Sequence, residues 1–174
     1  MASFSLDLWQ TLTAQGQHYF AQKDLRQAHI FYALALDEAQ KLIDDTQLSK
    51  DYEHSAQLYM TACHHLVTSA KGQGMGQEQE KYLQLAHTQL QIFANRPELT
   101  ELTRVNSLKV LDVTLVGLLD YYQTNQVQHS QLLADALIDE HVAYMANHDD
   151  KNLSETPCGQ CTDCVYQQDD ATIH

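Results

Sequence analysis

Glycine and proline are scarce in this chain, which has six glycines and two prolines among 174 residues. These two residue types interrupt helices most strongly, so their scarcity permits long helices. Between the interruptions Ala, Leu, Gln, Glu and Lys dominate, and apolar residues recur at spacings of three and four. We find no sustained alternation of apolar and polar residues, the pattern typical of a half-buried strand. The sequence therefore predicts an all-α fold.

Long apolar runs are also lacking. No stretch approaches the roughly 18 consecutive apolar residues that a bilayer span needs, so we expect no membrane segment. The first ten residues, MASFSLDLWQ, carry neither the basic patch nor the continuous apolar stretch of a secretory signal. We therefore expect a cytoplasmic protein.

Basic residues are few, with ten Lys and Arg against 23 Asp and Glu, a formal charge of −13. Such a charge repels phosphate backbones, which excludes general nucleic-acid binding from our expectations. The usual interpretation of such a charge is an acidic surface that is exposed to solvent and binds no partner. Basic proteins or cations as partners are the alternative.

The apolar periodicity predicts about six helices in three antiparallel hairpins. Their predicted spans are 7–22, 24–45, 50–71, 77–94, 98–124 and 127–147. Pro97 suits a first helical turn, and the glycines of KGQGMGQ (71–77) predict a turn. The nearly continuous apolar stretch 110–119 predicts that the fifth helix is the most enclosed. Residues 1–148 then form the helical domain, and residues 149–174 an acidic, Cys-containing C-terminal tail.

The first predicted hairpin contains the segment GQHYFAQKDLRQAHIFYALALDEA (16–39), which resembles a tetratricopeptide repeat (TPR). The matching residues are Leu12 at the Trp position, then Gly16, Tyr19, Ala28, Tyr32 and Ala35. Small side chains at 16 and 28 allow two helix axes to approach, and the tyrosines pack across the pair. Lys23 replaces the usual turn glycine, and Gln40 stands where a closing proline is common. The resemblance implies a short TPR-like solenoid.

The segment KYLQLAHTQLQIF (81–93) is similar to a degenerate second copy, because Ala86, Leu90 and Phe93 repeat the spacing of Ala28, Tyr32 and Ala35. Together with TACHHLVTSAKGQ (61–73), it resembles small gammaproteobacterial TPR-like proteins of unknown function. That resemblance implies a fold and no activity. The last two helices show no third copy, which is usual for a terminal unit of stacked repeats.

The TPR resemblance implies a non-enzymatic module that binds a protein or peptide partner in a groove. The positions that would clamp a terminal carboxylate hold Thr13 and Gln17, which are not cationic, so we expect an apolar or basic peptide instead. The predicted groove residues are Gln10, Thr13, Gln17 and Phe20. No HExxH helix, Walker loop or nucleophile elbow occurs. An enzyme acting on a small molecule has only dispersed His, Tyr and Asp residues in its favour.

The alternative function comes from the CxxCxxC spacing of Cys158, Cys161 and Cys164. Three thiolates brought together by a turn at Gly159 could hold zinc or copper, whereas an iron–sulfur cluster would need a fourth donor. Candidates to complete a tetrahedral site are Cys63, His148 and His174. The same three cysteines could also carry out reversible thiol chemistry or belong to an unliganded tail, and the sequence leaves both possibilities open.

Two further groups of metal-ligand residue types occur within predicted helices. Cys63, His64 and His65 are consecutive and point in different directions on a helix, which favours a buried thiol over an ion site. His141, Met145 and His148 share one helix face, which could serve a soft metal or simply pack.

Overall fold

The protein is all-α, as predicted. The computed structural model describes residues 3–125 and 128–148, and within them there are seven helices and no strand. The helices are α1 (Leu6–Ala21), α2 (Leu25–Asp44), α3 (Thr46–Ser49), α4 (Ser55–Gly72), α5 (Gly76–Ala94), α6 (Glu101–Thr124) and α7 (Ser130–Ala146). The proposed tail and its three cysteines lie outside the described residues.

Each long helix packs against the next one in the chain. Helix α2 lies between α1 and α4, α5 lies between α4 and α6, and α7 packs on α6. Helices α4 and α6 also touch each other. One apolar core runs from α1 to α6, and a smaller cluster of Leu118, Tyr121 and Tyr122 joins α6 to the helices beside it. The long helices therefore follow one another as a layered series of hairpins.

The α1–α2 hairpin is held together by a close helix approach at Gly16. This residue is buried, and the ring of Tyr32 occupies the space that a side chain at position 16 would need. Ala28 and Ala35 are completely buried on the facing side of α2. Tyr32 also stacks on His65 of α4, with ring centroids 4.7 Å apart. One tyrosine thus links three helices.

The start of α1 is fixed by a buried carboxylate. Glu38 is only 2% exposed, and its Oε1 accepts a hydrogen bond of 2.7 Å from the backbone N–H of Ser5. Its Oε2 pairs with Lys41 Nζ at 2.6 Å. The Ser5 side chain in turn caps α1 by accepting from Leu8 N. These contacts tie the first helical turn to α2.

The predicted boundary near residue 50 is wrong, because α4 starts at Ser55 and the short helix α3 precedes it. Asp45 starts α3, and the non-helical residues 50–54 separate α3 from α4. The backbone of Asp45 is extended at the end of α2, and its Oδ1 accepts from the backbone N–H groups of Gln47 and Leu48. An aspartate that captures free N–H groups in this way starts a new helix.

The predicted helical position of Pro97 is also wrong, since α6 begins at Glu101. Thr100 is the residue that caps this helix, with its hydroxyl accepting from Thr103 N at 3.3 Å. Arg104 holds the preceding turn by donating to the carbonyls of Ala94 and Arg96 at 3.2 and 3.1 Å. Pro97 therefore lies within a turn organised by its neighbours.

Helix α6 is not the most enclosed helix, contrary to prediction. Val113 and Val116 are 55% and 64% exposed, although both lie in the apolar stretch 110–119. Enclosure is greatest at α4, which lies between α2 and α5 and buries Tyr59, Ala62 and Leu66 completely. Helix α6 also has three neighbouring helices, α4, α5 and α7, but it packs less extensively against them than α4 does against its own neighbours. The glycine turn was predicted correctly: Gly74 has φ +70, a conformation that favours glycine.

Candidate functional site

The four groove residues predicted on α1 do not share one environment. Gln10 and Gln17 are exposed and Phe20 is half-buried, with Phe20 packed on the core. Thr13 is buried at 7% exposure. None of the four is among the residues that line the cavities described below. Their role in binding stays a prediction.

A concave apolar groove lies instead between α4 and α6, with α5 as its floor. Its central cavity has a volume of about 340 Å³. The apolar side chains around it come from all three helices. They are Met60 and Val67 on α4, Tyr82, Leu83 and Ala86 on α5, and Val113 and Val116 on α6. Burying such exposed apolar surface against a ligand is favourable by about 25 cal/mol per Å².

The groove continues toward the turn between α4 and α5. A second cavity of about 560 Å³ shares His64, Val67, Leu83, Gly117 and Asp120 with the first, so the two are contiguous. This end is more polar, and its lining includes Lys71 and Asp120. Both of these charged residues are exposed. The groove therefore offers an apolar centre, an anion (Asp120) where the two cavities join and a cation (Lys71) toward the turn.

Gly117 keeps the middle of the groove open. It lies within α6, where a glycine is about 0.5–1 kcal/mol less favourable than alanine. A Cβ at this position would lie 3.3 Å from Leu83 Cδ2, so α5 and α6 are already close here. The absence of a side chain at 117 thus deepens the groove at the point where the two cavities join.

The residues Cys63, His64 and His65 point to three different surroundings, as the helix geometry predicts. Cys63 is buried, and burial raises the pKa of its thiol to about 12. His64 is exposed and lines the groove, whereas His65 stacks on Tyr32. Burial and the nearby His64 lower the pKa of His65. The three side chains do not converge.

His141 and His148 are both buried and engaged with other helices. His141 Nε2 lies 2.8 Å from Asp112 Oδ1, and His148 Nε2 lies 3.1 Å from Asn95 Oδ1. Within residues 3–125 and 128–148, no group of three or more His, Cys, Asp or Glu side chains is placed to hold a metal ion. In the described part of the chain, His141 joins α7 to α6, and His148, which follows α7, contacts the residue that ends α5.

The imidazole of His87 on α5 packs near His141 of α7. The rings of His87 and His141 have centroids 5.9 Å apart, and His87 Nδ1 lies 2.9 Å from Thr114 Oγ1. Because Thr114 donates its hydroxyl hydrogen to Leu111 O at 2.7 Å, His87 must donate from Nδ1. Burial, and to a lesser extent His141, lowers the pKa of His87 to about 4. His87 is therefore a neutral hydrogen-bond donor that joins α5 to α6.

Sequence reasoning missed the groove because its walls come from three helices separated along the chain. One signal was available in the stretch 110–119. It contains more apolar residues than one buried helix face requires, which indicates a second apolar face. Val113 and Val116 form that face.

The fold and the groove define an all-α protein of layered helical hairpins with an apolar concavity. The chain belongs to the DUF2753 family, described as a protein of unknown function, whose model matches residues 7–150. Comparison with curated proteins gives no match, and comparison with solved structures gives none. The family match covers all of the described helices except Leu6, the first residue of α1, and it assigns no activity. The resemblance to TPR proteins stays a prediction.

No helix in the described part of the chain combines the length and the apolar character needed to cross a membrane.

Proposed function

We propose that this protein is a non-enzymatic, cytoplasmic module that binds a protein or peptide partner in the groove between α4 and α6. The observation that carries the proposal is the groove itself: apolar side chains from three helices line a continuous concavity, and Val113 and Val116 on its α6 wall are exposed. Ligand sites are typically concave and mostly apolar, with a few polar groups that set orientation.

The TPR-like part of the proposal is supported by the order of packing. Hairpins α1–α2, α4–α5 and α6–α7 follow one another, and the second helix of each hairpin packs on the first helix of the next. Helices α4 and α6, the first helices of two successive hairpins, also touch. A solenoid of this kind places its first helices along a concave face. In this proposal the exposed Gln10 and Gln17 on α1 extend the same face.

The groove favours a partner segment with apolar anchors at helical or extended spacing. Val67, Leu83 and Val113 would contact those anchors. Lys71 near the turn and Asp120 where the two cavities join would fix the direction of the segment by pairing with one acidic and one basic side chain. Because both charged residues are exposed, their pairing contributes more to orientation than to affinity.

Replacing Val113 with aspartate should weaken binding of groove-directed peptides at least about tenfold, because a carboxylate would then lie in the apolar cavity. Peptides from a random display library selected on the wild-type chain provide the probes. The matched control is Ile92→Asp, since Ile92 is 53% exposed on α5 and is not among the groove-lining residues. Affinities measured by titration calorimetry should be unchanged in the control. Equal losses in both variants, or no loss in either, would contradict the proposal.

The second candidate function is zinc or copper binding by Cys158, Cys161 and Cys164. Its support is the chemistry of the donor set, since three closely spaced thiolates suit soft or borderline metals. These residues lie outside the described part of the chain, and no geometry is assigned to them. Cys63 is a poor candidate for a fourth ligand because its side chain is buried within the helical core.

Anaerobically purified protein should, on this proposal, contain zinc or copper at about one equivalent per chain. Changing the three tail cysteines to serine should remove the metal, whereas Cys63→Ser should leave it in place. Metal content measured by mass spectrometry, together with thiol titration, checks this. Metal-free wild-type protein after reconstitution with either ion would exclude the metal function.

A further inference from the structure

The last hairpin presents a second apolar surface, separate from the groove. Helix α7 has apolar residues around its whole circumference, yet within it only His141 is buried. Leu132, Ile138 and Val142 are 67%, 40% and 61% exposed. A helix that is apolar on all sides is normally enclosed, and the terminal helix of a repeat stack normally has a polar outer face. Helix α7 departs from both patterns, because its outward side mixes exposed apolar residues with Asp135 and Asp139.

The contacts of α7 show which way its exposed side chains face. His141 contacts Asp112 and Leu137 packs against the cluster around Leu118, so α6 and α7 are antiparallel. Leu133 and Glu140 line a cleft toward α5. At 100° per residue, Ile138 and Val142 fall on the opposite flank of α7. We call this flank the end face; it comprises Ile138 and Val142 on α7 and the neighbouring Asp112 on α6.

The charges around the end face are predominantly negative. Asp135 and Asp139 on α7 are exposed, and the side chain of Asp112 on α6 is 57% exposed. Helix α7 contains no Lys or Arg, and Lys109 is the exposed cation on the neighbouring part of α6. An apolar strip bordered by carboxylates matches a helix with apolar residues on one side and Lys or Arg beside them.

We propose that the end face is a docking site for a cationic amphipathic helix of another protein. The charges argue against two other possible occupants, a second copy of the chain and its own segment 149–174. A second copy would bring Asp135 and Asp139 of both chains close together, and each chain has a formal charge of −13. The segment 149–174 carries six acidic residues and one lysine. Like charges across a contact oppose both of these arrangements.

The probe for this proposal is a synthetic peptide of about 18 Leu and Lys residues at helical spacing, with a Leu and Glu peptide of the same spacing as its charge-inverted partner. The test variant is Ile138→Ser with Val142→Ser. The matched control is Ile30→Ser with Leu34→Ser, because Ile30 and Leu34 have the same spacing on α2 and are each 45% exposed. Affinities are measured by fluorescence anisotropy at physiological ionic strength on the full chain.

We expect saturable binding of the Leu and Lys peptide by the wild type and no binding of its charge-inverted partner. The test variant should bind at least about tenfold more weakly, and the control within about twofold of the wild type. Hydrogen exchange on the wild type provides a second readout, with protection expected in α7 on addition of the peptide. Protection confined to other helices, or equal affinity of both variants, would overturn the proposal. So would a wild-type dimer, seen by sedimentation, that the test variant abolishes.

Discussion

Replacing Gly16 with alanine should destabilise the folded chain by about 2–3 kcal/mol, although alanine is the better helix former. The Tyr32 ring occupies the place of the new Cβ. It cannot easily move away, because Tyr32 is 3% exposed and stacks on His65. The strain therefore extends from the α1–α2 hairpin to α4. Urea unfolding monitored by circular dichroism measures the change.

The matched control is the same substitution at Gly117. The nearest atom to a Cβ there is the flexible end of Leu83, at 3.3 Å, so the gain in helix propensity should keep Gly117→Ala within about 1 kcal/mol of the wild type. The same chemical change should thus differ in effect between a helix interface and an open groove. If Gly16→Ala were as stable as Gly117→Ala, the close helix approach at Gly16 would be wrong.

The α1–α2 hairpin could be predicted from sequence because the residues that form it are close along the chain. Gly16, Ala28 and Ala35 fall within one repeat-like segment, and all three are buried. The groove between α4 and α6 could not be predicted in the same way. It depends on how Val67, Leu83 and Val113, which belong to different helices, come together after packing.

Replacing Leu66 with alanine should destabilise the protein by about 3–4 kcal/mol, because the site is completely enclosed and cannot collapse around the lost atoms. Leu66 is 0% exposed and belongs to α4, which lies between α2 and α5. The loss combines the transfer free energy of the missing side-chain atoms with the cavity left behind. Thermal and urea unfolding of the variant give the change in the free energy of unfolding.

The matched comparison is Val116→Ala. It distinguishes the loss of stability expected from burial from the loss expected from the apolar sequence alone. Val116 lies in the most apolar stretch of the chain but is 64% exposed, so its truncation should cost less than about 0.5 kcal/mol. The apolar stretch by itself would predict the reverse ranking, with the larger loss in α6. A larger loss for Val116→Ala than for Leu66→Ala would contradict the described burial.

Two features account for the misplaced helix boundaries and the wrong choice of the most enclosed helix. Thr100 starts α6 with a side-chain hydrogen bond, and Asp45 starts the unpredicted short helix α3 in the same way. Apolar periodicity gives no signal for such caps. The apolar stretch 110–119 has two faces, one buried and one on the groove. Periodicity finds apolar faces, but it does not show whether a neighbouring helix covers each one.

The central claim is that the groove between α4 and α6 binds a partner segment. Hydrogen exchange of the wild-type chain with and without a display-selected peptide, compared residue by residue, tests it most directly. We predict protection of the groove-lining parts of α4, α5 and α6 around Val67, Leu83 and Gly117, with any protection of α1 limited to the side that carries Gln10 and Gln17. Protection confined to α1, or to α7, would contradict the claim.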